Sequence, residues 1–187
     1  MTDEEIVALY WNRDEAAIRE TGTKYGAYCR RVAGNLLPSA EDAEECISDT
    51  WLRAWNAIPP QRPANLRAFL AKLTRNLAFD RWKAQGADKR GGGELPLVLD
   101  ELAECVSGGA DAESALLTKE LGAAVNRFVR GLPARDAALF VGRYFYAEPV
   151  AALAQRCGMT PNHAAVRLSR VRRKLREYLE QEGLIEL

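Results

Sequence analysis

The residues with the most specific chemistry lie between Val150 and Arg176. Six cations, Arg167, Arg170, Arg172, Arg173, Lys174 and Arg176, crowd into ten positions. Guanidinium groups grip phosphate oxygens and read base edges bidentately, so this density points to nucleic acid. What precedes them sets the geometry. Val150-Ala-Ala-Leu-Ala-Gln-Arg-Cys-Gly158 reads as a short helix stopped by glycine. Thr160 can then cap free N–H groups, and Pro161 suits the first helical position because its missing donor costs nothing there. The small Ala154 lets the two helices cross closely. Two short helices about a glycine turn, the second basic, form the helix-turn-helix pattern, whose ligand is duplex DNA.

At about 100° per residue, Ala164, Leu168, Val171, Leu175, Tyr178 and Leu179 share one stripe, the expected core face. Asn162, Ala165, Val166, Ser169 and Arg173 lie opposite, where a major groove would meet them. Arg170 and Lys174 flank that face on one side, and Arg172 and Arg176 on the other, within reach of phosphates. Arg167 falls beside the apolar stripe and reads as structural. His163, the only histidine, sits at the entry to the helix and reads as a phosphate or capping contact.

Two stretches nearer the N-terminus carry further chemistry. Ser39 is a good helix cap, and Asp42, Glu45 and Asp49 follow at spacings of three and four, giving a line of carboxylates on one face. Glu41 and Glu44 broaden it. With no matching lysines, the line suits a basic protein partner. A divalent-metal site there lacks histidines, a glycine turn or a second carboxylate cluster. From Ala64 to Gln85, Leu66, Phe69, Leu70, Leu73 and Leu77 make a core stripe. The far face carries Lys72, Arg75, Phe79, Trp82 and Lys83, with Asn76 at its border. Cations interleaved with aromatics suit a single strand, whose bases stack on rings at about 1–3 kcal/mol each. Packing of Phe79 and Trp82 against the first 60 residues is an equally weighted alternative.

These elements need a scaffold, and the chain of 187 residues suffices for two small ones. No period-two strand signal appears. Helical periodicity runs over 3–20, 22–37, 40–57, 64–85, 113–131, 134–146, 149–157 and 161–182. The expected architecture is therefore all-α: a domain over 1–88, a glycine-rich acidic linker over 89–112 with a transient turn at Leu95–Leu102, and a helix-turn-helix domain over 113–187.

The formal net charge of zero conceals strong segregation. Residues 1–61 hold 11 acidic and 6 basic groups, and 62–93 hold 2 and 8. Residues 94–120 hold 7 and 1, and 121–176 hold 2 and 11. Two basic blocks separated by acidic ones suggest two anionic contacts. No run of about 18 apolar residues exists, and the N-terminus with Asp3, Glu4 and Glu5 does not resemble a signal peptide. Cys29, Cys46, Cys105 and Cys157 are too widely spaced for a zinc or redox motif. A cytoplasmic protein with reduced thiols, no metal and no cofactor is expected. Convergent acids or a nucleophile with a base are lacking, so an enzyme is not expected.

Over nearly its whole length the chain resembles bacterial RNA polymerase sigma factors of the extracytoplasmic-function group of the sigma-70 family. The resemblance rests on motifs in order. Glu15-Ala16-Ala17-Ile18 enters a helix running through Tyr25. Asp42-Ala43-Glu44-Glu45 leads to Trp51-Leu52-Arg53-Ala54-Trp55. Arg75-Asn76-Leu77-Ala78-Phe79-Asp80 lies close to the family's Arg-Asn-x-Ala-x-Asp. Leu132-Pro133-Ala134-Arg135 opens a helix ending near Tyr144, and Arg170-Val171-Arg172-Arg173-Lys174-Leu175 closes the helix-turn-helix.

The resemblance implies roles. Asp42, Glu45, Asp49 and Arg53 would dock on the clamp coiled coil of the polymerase largest subunit, and the flap region would be a further contact. Arg62, Asn65, Lys72, Arg75, Asn76, Phe79, Trp82 and Lys83 would bind the −10 element as melted non-template strand. Asn162, His163, Ala165, Val166, Ser169, Arg170, Arg173 and Lys174 would read the duplex −35 element. The linker would run toward the RNA exit channel. An anti-sigma factor is the expected regulatory partner. The chain departs from the family at Ala165 and Val166, where Lys or Arg and then Ser are common, at Ser48 in place of a common Gln, and at Glu148-Pro149 where a Ser or Thr cap is usual. A stand-alone helix-turn-helix regulator, with an N-terminal sensing or dimerising domain, is the alternative reading.

Overall fold

The computed structural model describes residues 1–85, 95–106 and 115–185, and every regular element among them is helical. They fall into two compact units, within 1–93 and 94–187.

The first unit holds α1 (Asp3–Trp11), α2 (Ala16–Leu36), α3 (Ala40–Ala57) and α4 (Leu66–Ala84). Thr2 and Glu5 form a reciprocal capping box at α1, Ser39 Oγ accepts from the Asp42 amide at 3.3 Å, and Asn65 Oδ1 accepts from the Ala68 amide at 2.9 Å. These satisfy donors that helix starts leave open. Helices α2, α3 and α4 pack pairwise, with α1 against α2. Their core includes Ile6, Tyr10, Cys29, Ile47, Ile58, Leu66 and Leu70. Inside it, Tyr10 and Thr21 share a hydroxyl hydrogen bond of 2.9 Å, and Thr50 Oγ1 donates to the Cys46 carbonyl at 2.8 Å. Burial pushes the Cys46 thiol up to about 11, so it stays a thiol at neutral pH.

Helical periodicity predicts the first break at residue 21, before Gly22. The chain instead turns at Asn12–Glu15, where Arg13 takes a φ of 56° and Asp14 Oδ1 accepts from the Ala16 amide at 2.9 Å. Gly22 and Gly26 lie inside α2. An Asx turn outweighs a glycine when packing holds the helix around it.

The second unit holds α5 (Leu95–Val106), α6 (Ala115–Gly131), α7 (Ala134–Phe140), α8 (Val150–Arg156) and α9 (Pro161–Gln181). A π-helical turn, Val141–Phe145, continues α7. Helix α9 packs against α5, α6, α7 and α8. Gly142 sits where a Cβ would collide with the Leu153 side chain and lie 2.8 Å from Arg156 Nη2, so any larger residue would force those side chains to shift. The turn expected at Leu95–Leu102 is a 12-residue helix, and the linker assigned to 89–112 is helical over that part. Pro96 falls in its first turn, where proline is tolerated. Residues 89–94 and 107–112 of that linker lie outside the described residues.

Candidate nucleic-acid and protein interfaces

The carboxylate line on α3 forms as the spacing predicts, but it is already engaged. Arg81 of α4 donates from Nη1 to Glu45 Oε2 at 2.8 Å and from Nη2 to Asp49 Oδ2 at 2.6 Å. Gln85 Nε2 donates to Asp42 Oδ2 at 2.7 Å. Hydrogen bonds to Asp49 and then Glu45 hold the Arg81 guanidinium even more firmly protonated than usual. The stripe has no lysine partner, but an arginine 32 and 36 residues away in sequence pairs with it. Glu45 and Arg53 remain exposed, and Asp42 and Asp49 are half-buried. Among the described residues no cluster of His, Cys, Asp or Glu is arranged to hold a metal ion.

Helix α4 is rotated relative to the expected stripe. It buries Leu66, Leu70, Ala71, Thr74, Ala78 and Trp82. Phe69, Leu73 and Leu77 sit half-buried at the margin. Small side chains let the backbones approach, so close packing selects Ala71, Thr74 and Ala78 over bulkier neighbours. Trp82 is thereby only 7 % exposed. It is not an open stacking platform, which corrects its placement among the strand contacts. Phe79 stacks on it, with centroids 5.9 Å apart and planes 15° from parallel, and Lys83 Nζ lies 4.5 Å from the Phe79 ring centroid. The tryptophan is a floor, and the half-buried phenylalanine is the ring nearest solvent. Lys72, Asn76 and Lys83 are exposed, and Arg75 is half-buried with Nη1 3.4 Å from Asn76 Oδ1. Arg62 is exposed with its guanidinium over the Trp11 ring at 5.3 Å. Asn65 is exposed, with its Oδ1 accepting from the Ala68 amide as the α4 cap and its NH2 group on the solvent side of the same amide.

Residues 23–87 match the family model described as sigma-70 region 2. The match supports a sigma factor of the sigma-70 family. It takes in α3, α4 and most of α2, the elements that present the acidic face and the cation–aromatic face. No curated protein matches the chain.

In the second unit, α8 and α9 pack together about a tight turn at Gly158. Gly158 has a φ of 64°, a left-handed conformation that side chains resist. The Met159 amide donates to the Ala154 carbonyl at 3.0 Å, and Thr160 Oγ1 accepts from the His163 amide at 3.2 Å. Ala164, Leu168, Val171, Leu175 and Leu179 are buried, with Tyr178 half-buried. Asn162, His163, Ala165, Val166, Ser169, Arg170, Arg173 and Lys174 are all exposed. One face of α9 is thus core and the other open, with the Arg173 side chain 72 % exposed.

Not every α9 cation is available to phosphate. Arg167 is bound to Asp136 at 2.8 Å, as its position by the stripe suggested. Arg172, expected at the phosphate edge, donates to Tyr144 Oη at 2.8 Å and Glu101 Oε2 at 3.3 Å. Arg176 pairs with Glu180 at 3.0 Å. Sequence reasoning also missed Leu52, which is 58 % exposed. Its signal was present, because Leu52 lies three residues after Asp49 and seven after Glu45, at the edge of the acidic face.

Proposed function

We propose that this chain is a promoter-specificity subunit of the extracytoplasmic-function group, which binds core RNA polymerase and directs promoter recognition, melting and initiation. The observation that carries the reading is the conjunction of a region 2 match with a separate unit whose α9 leaves one face open to solvent, with Ala165 and Val166 among Asn162, Ser169, Arg170, Arg173 and Lys174.

The proposed division of labour follows from chemistry. Exposed Leu52 beside Glu45, Asp49 and Arg53 suits docking on a basic protein surface, an apolar anchor rimmed by charge. Lys72, Asn76, Phe79 and Lys83 suit an unpaired strand. Duplex stacking is worth about 1.4 kcal/mol per step, so melting needs a surface that binds the separated strand better than the duplex. The α9 face suits an intact major groove. Ala165 and Val166 offer apolar contact there, of the kind a thymine methyl accepts. Two modest contacts on one chain reinforce each other through effective concentration. The partners are core polymerase and promoter DNA, with an anti-sigma factor as regulator and the cytoplasm as location.

Run-off transcription tests the proposal. Core polymerase with this chain should initiate on the promoter upstream of its own gene, and core alone should not. Tight, specific duplex binding by the isolated chain without any effect on polymerase would establish the stand-alone regulator instead.

A further inference from the structure

Helix α5 is built into the second unit. Val98 is buried, Leu99 and Leu102 are half-buried, and the helix packs on α9 and the π-helical turn. Its Glu101 carboxylate collects four donors. Arg143 Nη2 and Nε reach it at 2.7 and 3.3 Å, Tyr144 Oη at 2.8 Å, and Arg172 Nη1 at 3.3 Å. Arg143 is only 2 % exposed and also donates to the Glu148 carbonyl at 3.1 Å. An arginine does not shed its proton, so its buried charge needs a partner, and α5 supplies one.

The location of Glu101 matters because of Arg172. That residue lies on the α9 edge shared by Ala165 and Ser169, seven and three positions earlier, both on the open face. Docked α5 turns this edge cation inward. The segment Leu95–Val106 holds three acidic residues and no basic one, so it also adds negative charge beside a surface meant for phosphate.

We propose that α5 is an intramolecular latch on the duplex-binding unit: docked, it withholds Arg172 from DNA, and its release frees that cation for a phosphate. The inference rests on the reading of α9 as the duplex-binding helix. Release also frees chain between the two units, which a subunit contacting separated promoter elements has to stretch.

The test uses the full chain and a fluorescein-labelled duplex of mixed sequence, without polymerase. One variant is Glu101→Gln, which removes the carboxylate. A second is Val98→Asp, which drives α5 off by burying an unpartnered charge while leaving Glu101 in the chain. Both should bind duplex roughly eightfold more tightly in about 0.1 M salt, with a log–log salt slope steeper by about 0.9, the signature of one added phosphate contact. Adding Arg172→Ala to either should return affinity to the wild-type level. Unchanged or weaker binding by a variant that still melts cooperatively would overturn the latch. If both variants unfold the unit by orphaning Arg143, Arg172→Ala alone decides: with the latch closed it should leave duplex affinity and salt slope unchanged, and a loss of either would overturn the latch. Core binding is scored separately, so a latch that fails this way leaves the sigma-factor reading untouched, and a chain that ignores core leaves the latch standing.

Discussion

Arg81→Met isolates what the α3 carboxylates are for. Arg81 spans Glu45 and Asp49 at 2.8 and 2.6 Å, with side-chain exposures of 28 % for the arginine, 69 % for Glu45 and 46 % for Asp49. Exposed pairs contribute about 0.2–1 kcal/mol each. The shorter, better-buried Asp49 arm belongs near the top of that range and the Glu45 arm near the bottom. Their loss should therefore lower stability by about 1 kcal/mol, seen as a small shift in a urea melt. A polymerase surface that binds these carboxylates must first displace Arg81, so the same energy opposes docking. Without Arg81, affinity for core should rise about fivefold, since 1.4 kcal/mol corresponds to tenfold. Fluorescence anisotropy of labelled protein titrated with core measures this. Asp49→Asn in both backgrounds completes the cycle. If Asp49 only holds Arg81, its removal leaves core affinity unchanged when Arg81 is already gone. If it touches polymerase, affinity falls in both. Unchanged or weakened core binding by a folded Arg81→Met protein would refute the competition.

Asn76→Ala should slow promoter melting more than it weakens polymerase binding, as followed by permanganate reactivity alongside core titration; equal losses would point to misfolding. Gly142→Ala should cost at least about 1–3 kcal/mol in a thermal melt, because the added methyl meets the Leu153 and Arg156 side chains. Burial alone would raise the Glu101 pKa, but hydrogen bonds from Arg143 and Tyr144 and the charges of Arg143 and Arg172 outweigh it and hold it below the ordinary value. Its contribution is therefore present above the unfolded value of about 4.3 and is lost as pH falls through the folded value, so the stability gap between wild type and Glu101→Gln should shrink on acidification below about pH 4.3 in urea melts. Arg173→Ala should weaken duplex binding and flatten the salt slope by about 0.9 in an anisotropy titration; an unchanged slope would mean that Arg173 reads a base or faces solvent.

Local signals were legible in the sequence, and distant ones were not. The turn between α8 and α9 and the buried face of α9 could be read because Gly158, Thr160 and Pro161 each impose a backbone geometry by themselves, and because the stripe from Ala164 to Leu179 repeats over about four turns. The face of α4 was harder. Large leucines dominate any hydrophobic pattern, yet Ala71, Thr74 and Ala78 are buried while Phe69, Leu73 and Leu77 are not, because small residues suit close helix packing. Helix α5 was hidden by its acidic, glycine-flanked setting. Its short apolar run is stabilised by docking and by Glu101, whose partners Arg143 and Arg172 lie 42 and 71 residues on. Nothing in the spacing of Asp42, Glu45 and Asp49 announces Arg81 or Gln85 either.

A shared physical feature runs through those omissions. In each unit, an arginine near a proposed interface is already held by carboxylates of the same chain: Arg81 by Glu45 and Asp49, and Arg172 by Glu101. Charge blocks counted along the sequence therefore overstate what a partner meets. Of the six α9 cations, Arg167 and Arg172 are committed to Asp136 and Glu101, and Arg176 makes a closer i,i+4 pair with half-buried Glu180 on the core side of the helix. Arg170, Arg173 and Lys174 remain on the open side, although Arg173 lies within 3.8 Å of Glu177 in an exposed pair too weak to hold it. Three phosphate contacts imply a salt slope from this helix of about −2.7, where six would give about −5.4. The weaker attraction has a functional logic. A chain that gripped duplex with every cation would settle on bulk DNA before meeting polymerase. Internal pairing keeps nonspecific binding low, and each exchange of an internal partner for an external one makes binding depend on the contact that releases it.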